Sequence, residues 1–532
     1  MALTGSKIAI VGAGPGGLTA LKELREVGAD VTLFERRHDV GGLWCWTEDT
    51  SVTTALRETQ ICNSKYYMAL SDFPMGQEYA PHLDAVQMGK YLSAYADQFD
   101  LRKNIQFGKS ITRLERDHKN AKWLLHVADD PKSPQAFDKV VWATGQFLKP
   151  KLIHLPGQEG FKGQVLHSTH VRNLADFKGK NVVVLGMGNT AADIAVALIP
   201  HAKQVYLSHR RGANIMCRTD ADGLPGDLLQ NPVVCQVMWW IEQNMPSLSG
   251  KLLDMVFDSN FKKKYGKEDP AWGFSKKAGI GDGLHTITCN DGLIPSVKNG
   301  KLASKSGIKR ITGSASIELD SGEVISNIDA IIMCTGYWND MEMLSEAVTY
   351  AEPTKTNPAR PPNLYMNIFP PKYADSIAVA SFNHVNGAQP PVRELTAMAL
   401  AQIWAGNSSL PSQTKMHAWI AKHDAWRRPR ITKEPNLHQG DIVTRPYMYF
   451  LHDAAGTDMY EHIGWGAKAW KLWWSDRALY NALAYGPATA YGHRLFETGK
   501  RRTWKGARQA IIDTAAEVKE LQAAAGQKKK KA

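Results

Sequence analysis

The sequence lacks the cysteine patterns and the leader that would assign it to a secreted or metal-dependent class. Its six cysteines lie far apart along the chain, with no Cys-x-x-Cys pair and no His/Cys cluster at zinc spacing. We therefore expect free thiols in a reducing compartment and no metal site. The amino terminus enters a strand directly, without a charged and then apolar signal segment, which favours a cytoplasmic location.

Long apolar runs and blocks of one charge are also scarce. The most apolar long window, residues 181–200, is interrupted by Asn189 and Asp193, so no transmembrane span is predicted. The formal net charge is +12, but only Lys528 to Lys531 form a basic run, so we expect no nucleic-acid partner. With 532 residues, the chain is long enough for two or three domains.

A strand, turn, helix and strand follow one another in residues 6–35. The turn GAGPGG contains Gly12, Gly14 and Gly17, and the second strand ends at Glu35. Glycines at this spacing permit a tight turn, close approach of the backbone to a pyrophosphate and tight helix packing. Glu35 can accept hydrogen bonds from ribose hydroxyls. This unit therefore predicts a dinucleotide site.

The residues after this unit favour FAD as the dinucleotide. The segment GGLW contains Gly42, Leu43 and Trp44. Its glycine pair permits close packing against a flavin, and Trp44 offers a flat apolar wall. We therefore predict that these residues contribute to FAD binding.

A second glycine-rich turn follows about 170 residues later, in VLGMGNTAAD. Gly186 and Gly188 repeat the first two glycines, and Ala191 replaces the third while still allowing close packing. Asn189 and Thr190 add polar groups near the predicted phosphate site. A second dinucleotide site is therefore expected in the same chain.

The strand after the second turn ends in SHRRG, where an acidic residue would be expected for NAD. Ser208 lies at this strand end, and Arg210 and Arg211 follow it. Arginine can pair bidentately with a ribose 2′-phosphate, so the segment favours NADPH. Arg210 is the stronger candidate, because Arg211 is as well explained as the cap of a surface loop.

These units predict an α/β fold with two Rossmann-like dinucleotide-binding domains and a helical C-terminal region. The strand endings VVWATG and AIIMCTGY mark crossings between the domains, so the NADPH domain is expected to be inserted into the FAD domain. The predicted boundaries are 1–165 for the first part of the FAD domain, 166–330 for the NADPH domain, 331–450 for the second part of the FAD domain, and 451–532 for the helical extension with its basic tail.

Two such sites in one chain predict transfer of hydride from NADPH to FAD. Disulfide reductases of this plan pass the electrons to a cysteine pair near the flavin, and the sequence contains no Cys-x-x-Cys pair. Molecular oxygen is the remaining common acceptor. A flavin hydroperoxide would then need a dry pocket with a hydrogen-bond donor.

The segment FKGQVLHSTHV carries Phe161, Gly163 and His167 in the Phe-x-Gly-x-x-x-His pattern. It resembles the signature of the class B flavin-containing monooxygenases and their Baeyer-Villiger relatives. The family pattern ends in Tyr, Phe or Trp, where this chain has Val171. The segments CNSKYYMALSDFP, CTGY and GAQPPVREL are also similar to family segments, and the resemblance covers residues 6–515.

The resemblance implies a C4a-hydroperoxyflavin that oxygenates a small-molecule amine or sulfide with O2. Asn63 matches the family's asparagine beside the flavin, which makes it both a cofactor-binding and a catalytic candidate. His167 is expected to order the interdomain strand. The assembly is left open, with a homodimer as one form.

Two other activities stay open at this point. Baeyer-Villiger oxygenation of a ketone uses a deprotonated peroxide and favours a cationic group at the flavin, and Arg172 directly follows the signature. The second alternative is an NADPH oxidase or redox-sensing flavoprotein that releases hydrogen peroxide. Ketone turnover would distinguish the first alternative, and peroxide release without a substrate would distinguish the second.

Overall fold

We describe a computed structural model of the chain. It covers residues 3–274, 287–339, 341–352, 360–385, 387–433 and 438–531, with residues 528–531 described by their backbone alone. None of the helices within these ranges combines the length and the apolar character that a bilayer crossing requires.

The strands are short and alternate with helices in the first half of the chain. Their bounds are β1 (Lys7–Val11), β2 (Asp30–Phe34), β3 (Ile105–Gln106), β4 (Ile111–Asp117), β5 (Lys122–Val127), β6 (Asp130–Phe137), β7 (Lys139–Trp142), β8 (Lys149–Pro150), β9 (Gln164–His167), β10 (Asn181–Leu185), β11 (Gln204–Ser208), β12 (Asn214–Met216), β13 (Ile287–Cys289), β14 (Leu302–Lys305), β15 (Ile308–Gly313), β16 (Ser316–Leu319), β17 (Val324–Ile325), β18 (Ala330–Met333), β19 (Tyr337–Trp338) and β20 (Ile377–Val379).

The helices dominate the second half of the chain. Their bounds are α1 (Pro15–Glu26), α2 (Lys65–Met68), α3 (Ala85–Gln98), α4 (Asn189–Leu198), α5 (Pro232–Asn244), α6 (Pro246–Tyr265), α7 (Leu293–Lys298), α8 (Gln389–Trp404), α9 (Gln413–Lys433), α10 (Thr444–Ala455), α11 (Ala467–Ser475), α12 (Arg477–Tyr485) and α13 (Ala507–Lys531).

The first sheet is parallel and has the strand order β20-β7-β1-β2-β3. In its centre, Val11 of β1 pairs with Phe34 of β2 and with Trp142 of β7. The apolar run of β1 is buried from Ile8 onward, as expected for a strand covered on both faces. The carboxyl ends of β1 and β2 therefore meet at one edge of the sheet, beside the first glycine-rich turn.

The second sheet repeats this plan with the order β14-β11-β10-β18-β9, and it is also parallel. All of its strands come from residues 164–333, between β7 and β20 of the first sheet. The second nucleotide-type unit is thus nested within the first. The predicted fold class, with two Rossmann-like units and a helical C-terminal region, is confirmed.

The C-terminal helices share a core with the first unit. Tyr447 and Leu451 of α10, Leu483 of α12 and Ile511 of α13 belong to the same buried apolar cluster as Leu18 and other residues of α1. Burial of apolar surface therefore fixes these helices against the first sheet rather than leaving them as a separate domain.

A network of buried charges joins α1 to the segment between α12 and α13. Arg494 is 1% exposed; it contacts the Glu23 carboxylate, and its Nε and Nη1 lie 3.1 and 3.4 Å from carboxylate oxygens of Asp72 and Glu26. Lys22 Nζ lies 2.8 Å from both Glu26 Oε1 and Asp72 Oδ2. Desolvated charges need such partners, because unpaired burial is strongly unfavourable.

Substitution of Arg494 by alanine should destabilise the fold severely. It leaves the Glu23 and Asp72 carboxylates buried without one of their cations, and the expected loss in free energy of unfolding is about 3–5 kcal/mol. Urea denaturation followed by tryptophan fluorescence measures this loss. The matched control is Arg508→Ala, which removes a half-exposed ion pair to Asp476 and should leave the denaturation midpoint nearly unchanged. Equal midpoints for Arg494→Ala and Arg508→Ala would contradict the structural role of the network.

Candidate active site

The first glycine-rich turn brings the backbone of α1 onto β1. Gly12 has a φ of +104°, and a Cβ atom there would lie 2.7 Å from the Ala143 carbonyl oxygen. A Cβ atom on Gly17 would lie 1.8 Å from the Gly12 carbonyl oxygen. Helix α1 follows Gly14 with no capping side chain from any described residue, so its first N–H groups are available to a phosphate. These residues fit the pyrophosphate of a dinucleotide.

Glu35 closes this turn from the end of β2. Its Oε2 accepts a hydrogen bond from the Ala13 N–H at 2.6 Å, and its Oε1 accepts one from the Arg37 N–H at 2.8 Å. The side chain is buried, and a carboxylate with two such bonds still has lone pairs for ribose hydroxyls. Glu35 is therefore placed both to hold the turn and to receive a ribose.

The GGLW segment lies directly against the first turn. Gly42 has a φ of +55°, and a Cβ atom there would lie 2.9 Å from Gly14 Cα. Leu43 accepts a backbone hydrogen bond from Ala55 at 2.9 Å, and Trp44 is half-buried against the core of the first unit. The structure thus brings together the segments that carry Gly12, Gly14, Gly17, Glu35, Gly42, Leu43 and Trp44, and their binding of FAD stays a prediction.

The second turn has the same construction at the edge of the second sheet. Gly186 has a φ of +137°, and a Cβ atom there would lie 2.6 Å from the Cys334 carbonyl oxygen. Helix α4 begins directly after Gly188, with no side-chain cap from the described part of the chain. Gly188, Asn189 and Thr190 are exposed, so this helix start can receive a second phosphate group.

The end of β11 lies beside the second turn, but its side chains face different ways. Gly186 N–H donates to the Ser208 carbonyl at 2.9 Å, whereas the buried Ser208 hydroxyl donates to the Ser306 carbonyl at 2.8 Å. Arg210 and Arg211 are exposed, and Arg211 donates to the Lys433 carbonyl at 3.2 Å. Only the backbone of Ser208 therefore supports the turn, and we still expect Arg210 rather than Arg211 to bind the 2′-phosphate.

Asn63 lies in a segment that joins the two units. The N–H of Ser64 donates to Asp227 Oδ2 at 2.6 Å. Buried Arg218 donates to the carbonyls of Gln60 at 2.7 Å and Ile61 at 3.2 Å. Residues 60–64 of the first unit are thus held by side chains of the second. Sequence reasoning missed Arg218 and Asp227, because both lie far from either glycine-rich turn.

The six cysteines are free thiols, in agreement with the expectation from their spacing. Cys62 directly precedes Asn63, and Cys289 ends β13.

His167 ties the two crossings between the units together. Its Nδ1 accepts a hydrogen bond from the Thr169 N–H at 3.2 Å, which leaves Nε2–H to donate to the Gly336 carbonyl at 3.1 Å. Burial lowers the pKa of His167, so the ring is neutral at physiological pH. These bonds give the residue a structural role at the interdomain strands.

An apolar cavity of about 80 Å³ is lined by Tyr67, three residues after the segment 60–64 that contains Asn63. Helix α2, which starts at Lys65, presents Tyr67 to the cavity, and α5 contributes Trp239. The remaining wall comes from the first unit and the C-terminal helices, including Val392, Met448, Tyr460 and His493. The cavity therefore lies where the inserted unit, the first unit and the helical region meet.

A small polar cluster lies behind α8. His384 Nδ1 is 2.5 Å from Asp441 Oδ1, and the His384 and His438 rings stack at 4.8 Å. His438 Nδ1 accepts a hydrogen bond from the Gly440 N–H at 3.0 Å. The contact between His384 and Asp441 and the hydrogen bond from Gly440 to His438 hold the loop around Gly440 against the segment between β20 and α8.

Two nested parallel sheets, each with a glycine-rich turn and a bare helix start, define a flavoprotein oxidoreductase that binds two dinucleotides. The family model described as flavin-binding monooxygenase-like matches residues 5–532. The chain belongs to this family, and it is an oxidoreductase that uses FAD and NADPH.

Individual relatives agree with this assignment. The chain is 33% identical to "Monooxygenase aurF" of Gibberella zeae, over 95% of this chain and 96% of that protein. It is 29% identical to "Dimethylaniline monooxygenase [N-oxide-forming] 2" of Rattus norvegicus, over 95% and 91%. The solved structure of S-allyl-L-cysteine S-oxygenase from Allium sativum has a TM-score of 0.60 at 18% identity, with coverage of 97% and 99%.

Substitution of Arg210 by alanine should weaken the preference for NADPH over NADH. A hydrogen bond to a charged group is worth about 1.5–3 kcal/mol, so we expect KM for NADPH to rise about 10- to 100-fold. KM for NADH should change little, because NADH has no 2′-phosphate. Steady-state kinetics with both nucleotides measures the effect.

The neighbouring variant Arg211→Ala serves as the control for Arg210. Its guanidinium already donates to the Lys433 carbonyl, so its loss should shift the nucleotide preference much less. An equal rise in KM for NADPH and NADH in Arg210→Ala would contradict recognition of the 2′-phosphate by this residue.

Proposed function

We propose that the chain is a monooxygenase that transfers one oxygen atom from O2 to a soft nucleophile, the nitrogen of an amine or the sulfur of a sulfide. The observation that carries this proposal is the position of residues 60–64. This segment contains Asn63, is held by Arg218 and Asp227 of the second unit, and leads into Tyr67 at the apolar cavity. The name of the rat relative, "N-oxide-forming", supports nitrogen as one acceptor.

Asn63 is the residue to which we assign a catalytic role. When bound, FAD supplies the oxygen-activating chemistry and NADPH supplies the hydride. A side-chain amide can donate a hydrogen bond to a reactive oxygen without transferring a proton to it. Asn63 is half-buried, so its amide is accessible from the junction of the two units.

The cavity supports a small, uncharged substrate. Its wall is mostly apolar, and its size of about 80 Å³ accommodates a methylated amine or thioether group rather than a large molecule. Such a lining also keeps water from the reacting atoms. Tyr67 and Trp239 are placed to restrict what reaches the Asn63 segment.

Ketone oxygenation is less well supported, because its expected cation is already engaged. Arg172 donates to the Val171 carbonyl at 3.1 Å, and its Nη2 donates to the carbonyls of Asp49 at 2.9 Å and Val52 at 2.8 Å. A guanidinium held in this way joins the signature segment to the loop at Asp49. It would have to break these bonds to serve a reacting peroxide.

The remaining assignments are part of the same proposal. FAD would be held by the first turn with Glu35, Gly42, Leu43 and Trp44, and NADPH by the second turn with Asn189, Thr190 and Arg210. The proposed domain boundaries remain residues 165, 330 and 450, of which the first two lie in β9 and at the start of β18 in the second sheet. We also propose a cytoplasmic location, on the basis of the free thiols, and a homodimer as one form of assembly.

Product analysis with coupled NADPH consumption tests the proposed reaction. The FAD-loaded protein should convert trimethylamine to its N-oxide and dimethyl sulfide to its sulfoxide, with one product formed per NADPH. Cyclohexanone should give no lactone. Release of hydrogen peroxide in place of product with every substrate would favour the oxidase alternative, and lactone formation would favour ketone oxygenation.

The variant Asn63→Ala should separate NADPH oxidation from oxygenation. Loss of one well-placed donor lowers turnover about 100- to 1000-fold in comparable sites, so product formation should fall by about that factor. Anaerobic reduction of the flavin by NADPH should continue, and NADPH consumed in air should appear as hydrogen peroxide.

The control for Asn63→Ala is Asn120→Ala. Asn120 is an exposed turn residue that donates to Asp117, far from both glycine-rich turns in the sequence. The Asn120→Ala variant should leave the product yield per NADPH unchanged. Undiminished product formation in Asn63→Ala would contradict the role assigned to that residue.

A further inference from the structure

Helix α11 and the turn before it expose several tryptophan rings. The helix buries Ala469 and Leu472 against the core of the first unit, and Trp470 and Trp474 lie four residues apart on the opposite face. Trp465, in the preceding turn, is 87% exposed, and Trp474 is 77% exposed. Tryptophan usually buries most of its surface, so exposure of this extent points to a role outside the core.

The exposed rings contact one another. The ring centroids of Trp465 and Trp470 are 6.2 Å apart, those of Trp470 and Trp473 are 5.7 Å apart, and those of Trp473 and Trp474 are 4.9 Å apart. We call these four residues the tryptophan patch. Single exposed apolar side chains are ordinary, whereas a contiguous group of them marks an interaction surface.

Unpaired cations border the tryptophan patch. Lys471 is exposed on the same helix, and it forms no ion pair with a described residue. Arg477 likewise has no ion pair within the described chain, and its guanidinium lies 4.6 Å from the centroid of a ring of the patch. The one carboxylate between residues 464 and 478 is that of Asp476, which is paired with Arg508. The surface therefore complements an anionic partner.

The indole N–H groups indicate what kind of partner this is. None of the four in the tryptophan patch donates a hydrogen bond to a described residue. An apolar protein surface would leave these donors buried and unsatisfied, which is unfavourable. The headgroup layer of a bilayer offers phosphate and carbonyl acceptors at the depth where the rings meet the acyl chains. A lipid surface therefore suits the patch better than a second copy of the chain.

A neighbouring helix adds to the exposed apolar surface. Helix α12 packs against both α11 and α5. Val234, Val237 and Trp240 of α5 are spaced three residues apart and are between 43% and 52% exposed. Exposed apolar side chains thus occur on two helices that share one neighbour, which enlarges the surface available to a bilayer.

We propose that the tryptophan patch docks the protein on the surface of an anionic lipid bilayer. The indoles enter the headgroup layer, and Lys471 and Arg477 contact lipid phosphates. Helix α11 has nine residues and is about 14 Å long, so it lies in the interface and does not cross a hydrocarbon core of about 30 Å. The formal net charge of +12 attracts the chain to such a surface. This docking does not depend on the proposed reaction.

Sedimentation of the FAD-loaded full chain with vesicles tests the docking. Vesicles of phosphatidylcholine mixed with phosphatidylserine should bind the protein. Vesicles of phosphatidylcholine alone should bind it about 30-fold more weakly, which is the factor expected for two cations at an anionic surface. Added salt should reduce this difference. Phospholipids brominated on the acyl chains should quench the tryptophan fluorescence of the bound protein.

Two variants separate the rings from the charge. The double variant Trp465→Ala/Trp474→Ala should bind about 100-fold more weakly, about tenfold for each ring, and should lose most of the bromine quenching. Both rings are exposed, so flavin content and thermal stability should be unchanged. Lys471→Glu replaces a cation with an anion. It should weaken binding to the phosphatidylserine vesicles about 30-fold and leave binding to phosphatidylcholine alone unchanged.

Two matched controls accompany these variants. Trp338 is 46% exposed and lies in the strand pair β8 and β19, so Trp338→Ala should bind vesicles as the unsubstituted protein does. A chain that ends at Gln527 removes the basic run at Lys528 to Lys531. In this shortened chain, Trp465→Ala/Trp474→Ala should still cause the loss of binding.

The possible outcomes distinguish the lipid surface from other partners. Absence of binding to phosphatidylserine vesicles, or equal binding by the double variant, overturns the proposal. Light scattering of the same proteins tests a second copy as the partner. If the double substitution dissociates a dimer that binds no vesicles, the tryptophan patch joins two copies and the lipid proposal is wrong. A protein that binds vesicles but oxygenates no amine or sulfide contradicts only the proposed function.

Discussion

The close approach of α1 to β1 is the constraint on which much of the architecture depends. Because Gly17 has no side chain, the helix lies against the Gly12 carbonyl, where a Cβ atom would be only 1.8 Å away. This contact leaves the helix start bare for a phosphate, and it also buries nearly the whole helix, including Lys22 and Glu23. A helix placed so deeply must satisfy its charged residues inside the protein. The phosphate turn therefore dictates the buried ion network that contains Arg494.

That network in turn determines how the C-terminal region attaches. Arg494 Nε donates to the Ser71 hydroxyl at 2.8 Å, and the Ser71 N–H lies 2.8 Å from Glu394 of α8. Desolvation raises the pKa of Glu394 to about 8, so this carboxyl is mostly protonated at neutral pH and adds little negative charge to the network. Replacing the whole network with apolar residues could be neutral for stability, but losing one ion is not. The buried charges therefore favour one docking position for the C-terminal region.

The sequence predicted the parts of the site that depend on local backbone geometry. The turn at Gly12 and the turn at Gly186 each need a positive φ and a close contact, and such requirements leave a direct record in residue type. The contacts of Ser208 and of Arg218 depend on which strands and segments become neighbours. These side chains are ordinary in type, so only the assembled sheets reveal that the Ser208 hydroxyl donates to Ser306 and that the Arg218 guanidinium reaches the carbonyls of Gln60 and Ile61.

The junction at residues 60–64 explains why the two units need to be nested rather than tandem. Hydride transfer requires the two dinucleotides to meet within contact distance, and small misplacements reduce the rate steeply. Arg218 holds two carbonyls of the first unit while its guanidinium lies 3.6 Å from Asp193 of α4. Desolvation raises the pKa of Asp193 to about 6, because its carboxylate is largely buried. A charge held in this way resists displacement, because moving it would take a donor from both carbonyls and the nearby cation from the carboxylate. The helix that begins at the second phosphate turn is thereby coupled to the segment that carries Asn63.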